Sequence, residues 1–170
     1  MSIEFCLDAD VLITGWNVTY PPRIFNPLWD RISINAATIA IIEPVYREID
    51  PIATQHRKLT KDEQKKLYPL RIWLEETPFQ IAAPDDESNL LSLTMEREHE
   101  VGDVTKGASQ NDITIIAYAK THGLTVVTLE RKQKQRPGKR SNYKIPLICS
   151  DKGVQCITFI ELLDRLGITI

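Results

Sequence analysis

Short apolar runs alternate along the chain with longer stretches in which apolar and polar residues repeat at helical spacing. Apolar runs that are rich in β-branched residues and bounded by polar ones are typical of buried strands in a parallel sheet. Strands that alternate with helices form a parallel sheet covered on both faces, so the pattern predicts an α/β protein. The predicted strands are approximately residues 3–7, 38–42, 79–82, 124–129 and 154–157.

Prolines and capping residues set the expected bounds of the helices. The proline pair at 21–22 predicts an ordered loop over residues 15–27 instead of a helix. Prolines favour the first turn of a helix, so helices are expected over about 27–36 and 44–55. Further helices are predicted from Thr60 with an interruption at Pro69, from Asp85 or Ser88 with Leu90, Leu91 and Leu93 as its apolar side, from Ser109 or Asn111 to His122, from Pro146 to Lys152, and from Thr158 to Gly167.

Acidic residues fall where the predicted strands end. Asp8, Asp10 and Glu130 follow strand ends, and Glu48 and Asp112 lie in the first turns of helices. In a parallel sheet these positions share the edge at which α/β proteins bind their ligands. Neighbouring carboxylates at the mouth of an apolar core are costly unless a cation lies between them. Mg²⁺ or Mn²⁺ is the natural candidate, because hard cations prefer carboxylate oxygen.

A structural alternative exists for the same acids. Asp10 and Glu130 would cap turns, and Glu48 would pair with a lysine. On the first strand alone, an ordinary acidic turn after Leu7 explains Asp8 and Asp10 as well as a metal site does.

Length and composition bound the class of protein. The 170 residues suit a single domain over 1–170, and 42% hydrophobic with 26% charged residues is ordinary for a soluble globular protein. No apolar run approaches the roughly 20 residues of a membrane span, and no signal peptide is visible, so a cytoplasmic protein without membrane association is expected. Three cysteines without a CxxC pair and three scattered histidines argue against a zinc site.

The charge distribution says more than the net charge of −2. Residues 85–103 carry seven acids against Arg97, whereas residues 131–144 carry seven basic residues and no acid. A flexible basic segment of this kind can attract phosphates, although the segment taken alone is better explained as a solvated loop.

No Ser–His, Cys–His or P-loop arrangement is visible in the sequence. Metal-assisted hydrolysis remains: ions held by the acids would lower the pKa of a bound water and stabilise the charge of the transition state.

Four segments resemble the motifs of PIN domains. Residues 7–13 resemble the opening Leu-Asp-x-Asn-Val-Leu-Ile signature, with Asp10 in place of the usual Asn. Residues 45–49, 111–119 and 126–130 are similar to the second, third and last motifs, in matching order and spacing. Residues 20–22, 29–30 and 144–156 further resemble a PIN subfamily of unknown function.

The resemblance implies a three-layer α/β/α fold with a parallel sheet of four to five strands in the order 3-2-1-4-5. It also implies a divalent-metal-dependent endoribonuclease, often the toxin of a type II toxin–antitoxin pair. Asp8, Glu48, Asp112 and Glu130 would then hold Mg²⁺ or Mn²⁺ and act as the catalytic cluster, supported by Asp10 and Thr128. The RNA contacts expected beside this site are Arg131, Lys132, Lys134, Arg136, Lys139 and Arg140.

The resemblance further suggests a homodimer and a partner antitoxin, with Trp16 and Tyr20 as exposed contact points. Two alternatives remain open: a catalytically silent PIN-like module that binds RNA or protein, and a metal-dependent nuclease with no toxin role. Intact acids argue against the silent module.

Overall fold

The fold is built on a parallel sheet of five strands in the order 3-2-1-4-5, as predicted. In this computed structural model the described residues are 2–102 and 106–169. Asp103, the last acid of the predicted acidic stretch 85–103, lies outside the described residues. The strands are β1 Phe5–Leu7, β2 Ile39–Ile42, β3 Gln80–Ala82, β4 Thr125–Thr128 and β5 Cys156–Thr158. Cys6 of β1 lies opposite Ala40 on one side and Val126 on the other.

The central strands are buried on both faces. All residues of β1, β2 and β4 are buried. Successive side chains of a strand point to opposite faces of the sheet, so neither face is open to solvent at these strands. Helices must therefore cover both faces, which gives the three-layer α/β/α arrangement that was predicted. The edge strand β3 is largely exposed.

The helices follow the predicted alternation. They are α1 Ala9–Thr14, α2 Pro22–Asn35, α3 Glu43–Glu48, α4 Lys61–Leu67, α5 Pro69–Glu76, α6 Asp86–Glu98, α7 Gln110–His122, α8 Ile145–Lys152 and α9 Phe159–Arg165. In the part of the chain that is described, no helix is long and apolar enough to cross a membrane.

The predicted helix boundaries at Thr60, Pro69, Ser109 and Thr158 are confirmed. Thr60, Ser109 and Thr158 each form a complete capping box with the residue three positions later. Pro69 separates α4 from α5 and occupies the first turn of α5.

The prediction of a loop over residues 15–27 is wrong. Residues Gly15–Thr19 form a π-helical turn, and α2 begins at Pro22 instead of Pro27. A proline at the first helical position loses no hydrogen bond, so the pair at 21–22 starts the helix. Pro27 is accommodated inside α2 because Phe25 leaves helical geometry, with φ −110° and ψ 31°.

The helix after β2 is shorter than predicted. It ends at Glu48 instead of near Gln55, and Asp50 has a positive φ of 44°. Ile49 is already extended, with φ −77° and ψ 105°, and Pro51 keeps Asp50 before it out of right-handed helical geometry, so the helix does not resume. Glu48 is therefore the last residue of α3 and not part of its first turn.

The expected apolar side of α6 is also wrong in part. Leu90 and Leu93 are 68% and 51% exposed, while Ser88 and Ser92 are buried. Small residues allow α6 to pack closely on α7, where the hydroxyl oxygens of Ser92 and Thr114 lie 3.3 Å apart.

Trp16 and Tyr20 do not form exposed contact points. The Trp16 ring packs 5.0 Å from both Trp29 and Trp73 and is buried. Tyr20 packs on Phe159, with 5.5 Å between ring centroids. Trp16 therefore belongs to the core, and Tyr20 is partly buried against it.

Candidate functional site

Asp8 is placed by the end of the central strand. It is the N-cap of α1, and its Oδ1 accepts the Asp10 N–H at 3.4 Å. Its Oδ2 accepts from the Thr128 hydroxyl of the neighbouring strand β4 at 3.0 Å. The side chain is 5% exposed. The predicted supporting residue Thr128 thus contacts the carboxylate directly.

Asp112 is placed by the start of α7. Its carboxylate accepts the Ser109 N–H at 2.6 Å, and its own N–H donates to the Ser109 hydroxyl at 3.2 Å. This capping box fixes the first turn of a helix that is buried over residues 113–119. The partial positive charge of the helix N-terminus also favours the carboxylate.

Glu48 is exposed and reaches α7 through one hydrogen bond. Its Oε2 accepts from the Asn111 side-chain amide at 2.8 Å. This hydrogen bond places Glu48 beside the residue that directly precedes Asp112. The role of Glu48 as a metal ligand stays a prediction.

Glu130 is held by the residues on both sides of the basic segment. Its N–H donates to the Thr128 hydroxyl at 3.1 Å. Its Oε2 accepts the Ile145 N–H at 2.9 Å, and its Oε1 lies 3.8 Å from the Lys144 ammonium.

The four acids are linked by their charges. Desolvation, nearly complete for the buried Asp8 and only partial for Glu48, is the main cause that raises the pKa of Asp8, Glu48, Asp112 and Glu130 above the usual carboxyl range, and the pKa of Asp8 reaches about 7. The charge of Asp112 further raises the pKa of each of the other three, so Asp112 is the electrostatic centre of the cluster. Hydrogen bonds from Thr128, Asn111, Ser109 and Ile145 act in the opposite direction.

Asp10 contributes to the electrostatics of three of the four acids, but its side chain makes a separate hydrogen bond. It is exposed in the first turn of α1, and its Oδ1 accepts from the Thr14 hydroxyl at 2.6 Å. Its charge contributes to the raised pKa values of Asp8, Asp112 and Glu130.

The donor set fits a hard divalent cation in its chemistry and charge. All proposed ligand atoms are carboxylate oxygens, and a cation would relieve the mutual repulsion. Across residues 2–102 and 106–169, however, no three acidic, histidine or cysteine side chains are arranged so that they would hold a metal ion as they stand. Each hydrogen-bonded carboxylate oxygen keeps a further lone pair, so the observed hydrogen bonds are compatible with metal binding.

The basic segment 131–144 follows Glu130 directly. Arg131, Lys132, Lys134, Lys139 and Arg140 are exposed. Arg136 differs, because its guanidinium makes two hydrogen bonds to Asp151 at 2.9 and 2.7 Å and lies over the Tyr143 ring. Among the described hydrogen bonds and ion pairs, the side chain of Arg136 therefore has a protein partner, whereas the side chains of the other five have none.

Two contacts were not predicted from the sequence. Asn111 was assigned only as a possible helix cap, yet it binds Glu48. Its position directly before Asp112 was the available signal. The Ile145 N–H that binds Glu130 is a backbone group with no sequence signature.

Comparison with known proteins agrees with the fold. The family model described as "Domain of unknown function (DUF4411)" matches residues 5–170. The crystal structure of PAE2754 from Pyrobaculum aerophilum has a TM-score of 0.55 at 18% identity, with 98% of each chain covered. A search of curated protein sequences finds no match.

Two further crystal structures have a TM-score of 0.52, and in each the match covers 92% of this chain and 98% of the other. One is VapBC2 from Rickettsia felis bound to a promoter DNA fragment, at 15% identity. The other is DNA-bound VapBC from Salmonella typhimurium, at 17% identity. At these identities the similarity concerns the fold.

Proposed function

Because the chain belongs to the DUF4411 family and has a PIN-like fold, we propose that it is a divalent-metal-dependent endoribonuclease. The observation that carries the proposal is the placement of four acids at the carboxyl edge of the sheet: Asp8 follows β1, Glu130 follows β4, and Glu48 is hydrogen-bonded to Asn111 beside Asp112. The basic segment 131–144 lies beside this cluster, because it begins directly after Glu130. Acids for a metal and basic residues for phosphates are the two parts that RNA hydrolysis needs.

Asp8 and Asp112 are proposed as the principal ligands of Mg²⁺ or Mn²⁺. Each carboxylate is held by a hydrogen bond: Asp8 accepts from the Thr128 hydroxyl, and Asp112 accepts from the Ser109 N–H. Such partners orient a ligand and limit its side-chain freedom. A bound ion would supply an activated water and stabilise the negative charge that develops at the phosphate.

Glu48 and Glu130 complete the proposed cluster from opposite sides. Each has one oxygen engaged by a neutral donor, which is Asn111 for Glu48 and the Ile145 N–H for Glu130. Since no three-ligand group is already formed among the described residues, these side chains are the ones expected to adjust when metal binds.

The biological setting is proposed from the PIN resemblance. The protein would be the toxin of a type II toxin–antitoxin pair, acting on RNA in the cytoplasm as a homodimer and blocked by an antitoxin. The two VapBC structures of similar fold are in keeping with this setting.

The test is cleavage of a mixed RNA pool by the purified protein with Mg²⁺ or Mn²⁺. Asp8→Asn and Asp112→Asn should each lower the cleavage rate about a hundredfold or more, since even outer-shell partners of a metal ligand are worth about 10–100-fold. Asp164→Asn, an exposed position on α9, is the matched control and should cleave as the wild type does.

Metal binding measured by calorimetry separates the possible failures. Cleavage that persists in a chelator, or in both active-site variants, would contradict the proposed mechanism. Absence of both cleavage and metal binding would instead favour a catalytically silent binding module.

A further inference from the structure

A cleft of about 400 Å³ opens beside the proposed metal cluster, between α6 and the start of α7. Its lining includes Pro44 and Pro84, which come two residues after the ends of β2 and β3. The cleft therefore opens at the same carboxyl edge of the sheet as Asp8. In the strand order 3-2-1-4-5 it lies on the β2–β3 side, whereas the basic segment follows β4.

The cleft is connected to the cluster through α7. Asn111 lines the cleft, donates a hydrogen bond to Glu48, and directly precedes Asp112. A group that occupies the cleft is thus one residue away from the proposed ligands.

The lining carries groups that read hydrogen-bond patterns. Asn89, Gln110 and Asn111 contribute amides, each of which has both donors and an acceptor. The Glu96 carboxylate adds an acceptor at each of its two oxygens. Gln110 donates to both oxygens at 3.4 Å, and the Ser92 hydroxyl donates to Oε1 at 3.2 Å. These bonds are long, so a better-placed donor can compete with them.

The carboxylate determines which part of an RNA chain fits. Glu96 repels phosphates, which keeps the RNA backbone on the basic side of the site. A carboxylate binds N–H donors, and single-stranded RNA exposes the base edges that carry them. Guanine presents two adjacent donors, N1–H and the N2 amino group, which match the two oxygens of one carboxylate. Pro44, Pro84 and Leu93 add apolar side chains to the lining, and a flat base can pack on such surface.

We propose that the α6–α7 cleft binds a guanine base next to the cleaved phosphate of a single-stranded RNA, with Glu96 accepting from the N1–H and N2 amino donors. The identity of this occupant as part of a substrate rests on the proposed ribonuclease function. Glu96 is then a residue that determines base specificity, and Asn111 lies between the base site and the metal cluster.

The test measures binding by fluorescence anisotropy of labelled hexanucleotides without divalent metal, so that no RNA is cleaved. The probes are a hexamer of adenines and the same hexamer with one central guanine or inosine. The wild-type protein should bind the guanine probe about tenfold more tightly than the adenine probe, as a two-point contact to a base is worth about 1–3 kcal/mol. Inosine lacks the N2 amino group and should lose a large part of this preference.

Two matched variants assign the preference to the cleft. Glu96→Gln should bind the guanine and adenine probes equally. Glu87→Gln changes the same charge on the same helix but lies outside the cleft lining, and should keep the tenfold preference. The inosine comparison on the wild-type protein does not depend on the folding of any variant.

Equal binding of all three probes, or a guanine preference that survives in Glu96→Gln, would overturn the proposal. Neither result touches the ribonuclease function if metal-dependent cleavage of the RNA pool is observed. Conversely, guanine-selective binding that Glu96→Gln abolishes would support the base site even if the purified protein cleaves no RNA.

Discussion

The Asp8 carboxyl is the one buried acid among the four proposed ligands, and its pKa is raised to about 7 by burial and by the charge of Asp112. Its ionised form is the one that binds metal. At neutral pH the metal-free protein therefore holds a group that is poised between protonated and charged states. The Thr128 hydroxyl and the Asp10 N–H are the donors that partly stabilise the charge.

The raised pKa of Asp8 predicts how stability depends on pH. In the unfolded chain the carboxyl ionises near pH 3.8, whereas in the fold it ionises near pH 7. The folded state therefore loses stability as the pH rises from about 4 to about 7, by up to roughly 4 kcal/mol for this group. Asp8→Asn removes the charge and should raise the Tm of the metal-free protein at pH 8 but not at pH 4.

Thermal unfolding in EDTA across this pH range is the measurement. Asp164→Asn, at an exposed position on α9, provides the control. A Tm difference between Asp8→Asn and wild type that stays constant from pH 4 to pH 8 would contradict the buried, destabilising charge.

At the scale of elements, α7 and α4 start with the same capping box but differ in what they support. Ser109 caps a helix in which residues 113–119 are all buried, whereas α4 contains no buried residue. The same capping hydrogen bonds should therefore contribute more to the free energy of unfolding in α7 than in α4.

Ser109→Ala should lower the free energy of unfolding by about 1 kcal/mol, the usual cost of removing an N-cap side chain. Thr60→Ala should lower it less, because an exposed helix can fray without unfolding the core. Urea unfolding compares the two variants. Equal losses would mean that α4 unfolds together with the core.

The elements also show which features a sequence can predict. The positions of the strands and the capping boxes were predicted because apolar runs and Ser/Thr caps act locally, whereas the strand order was expected only from the PIN resemblance. The exposed side of α6 was not, because α6 turns its serines and not Leu90 and Leu93 toward α7. That choice depends on how closely two helices approach, which hydrophobic periodicity does not contain.

The candidate site divides in the same way. Asp8 and Glu130 were located by their positions after strand ends, and Asp112 by its position in the first turn of a helix, as the structure has them. Their role as metal ligands stays a prediction. The cleft beside them was not predicted, because its lining comes from four separate segments of the chain.

At the scale of the whole molecule, a net charge of −2 conceals a division of charge across one edge of the sheet. The acids gather over the centre of the sheet, and the basic segment begins after β4. An RNA strand bound there would contact the protein mainly through the exposed basic residues.

The double variant Lys132→Gln/Lys134→Gln should weaken RNA binding for all sequences alike. It should also reduce the slope of log affinity against log salt by about 0.7 for each phosphate that the protein no longer neutralises, or about 1.4 in total. Anisotropy titrations between low and moderate salt measure this slope. Lys65→Gln/Lys66→Gln, at exposed positions on α4, is the control that should leave it unchanged.

The hydrogen bond between Glu130 and the Ile145 N–H gives this segment a second property. It fastens the two ends of the basic loop to a side chain that is also a proposed metal ligand. If Glu130 turns toward a metal ion, its hydrogen bond to the Ile145 N–H at the end of the loop changes. If RNA orders the loop, the position of the Glu130 carboxylate changes. The two binding events are then thermodynamically linked, and the linkage is reciprocal. An inactive Glu130→Ala protein would not by itself identify a ligand, whereas Glu130→Gln keeps the acceptor for Ile145 and removes only the charge.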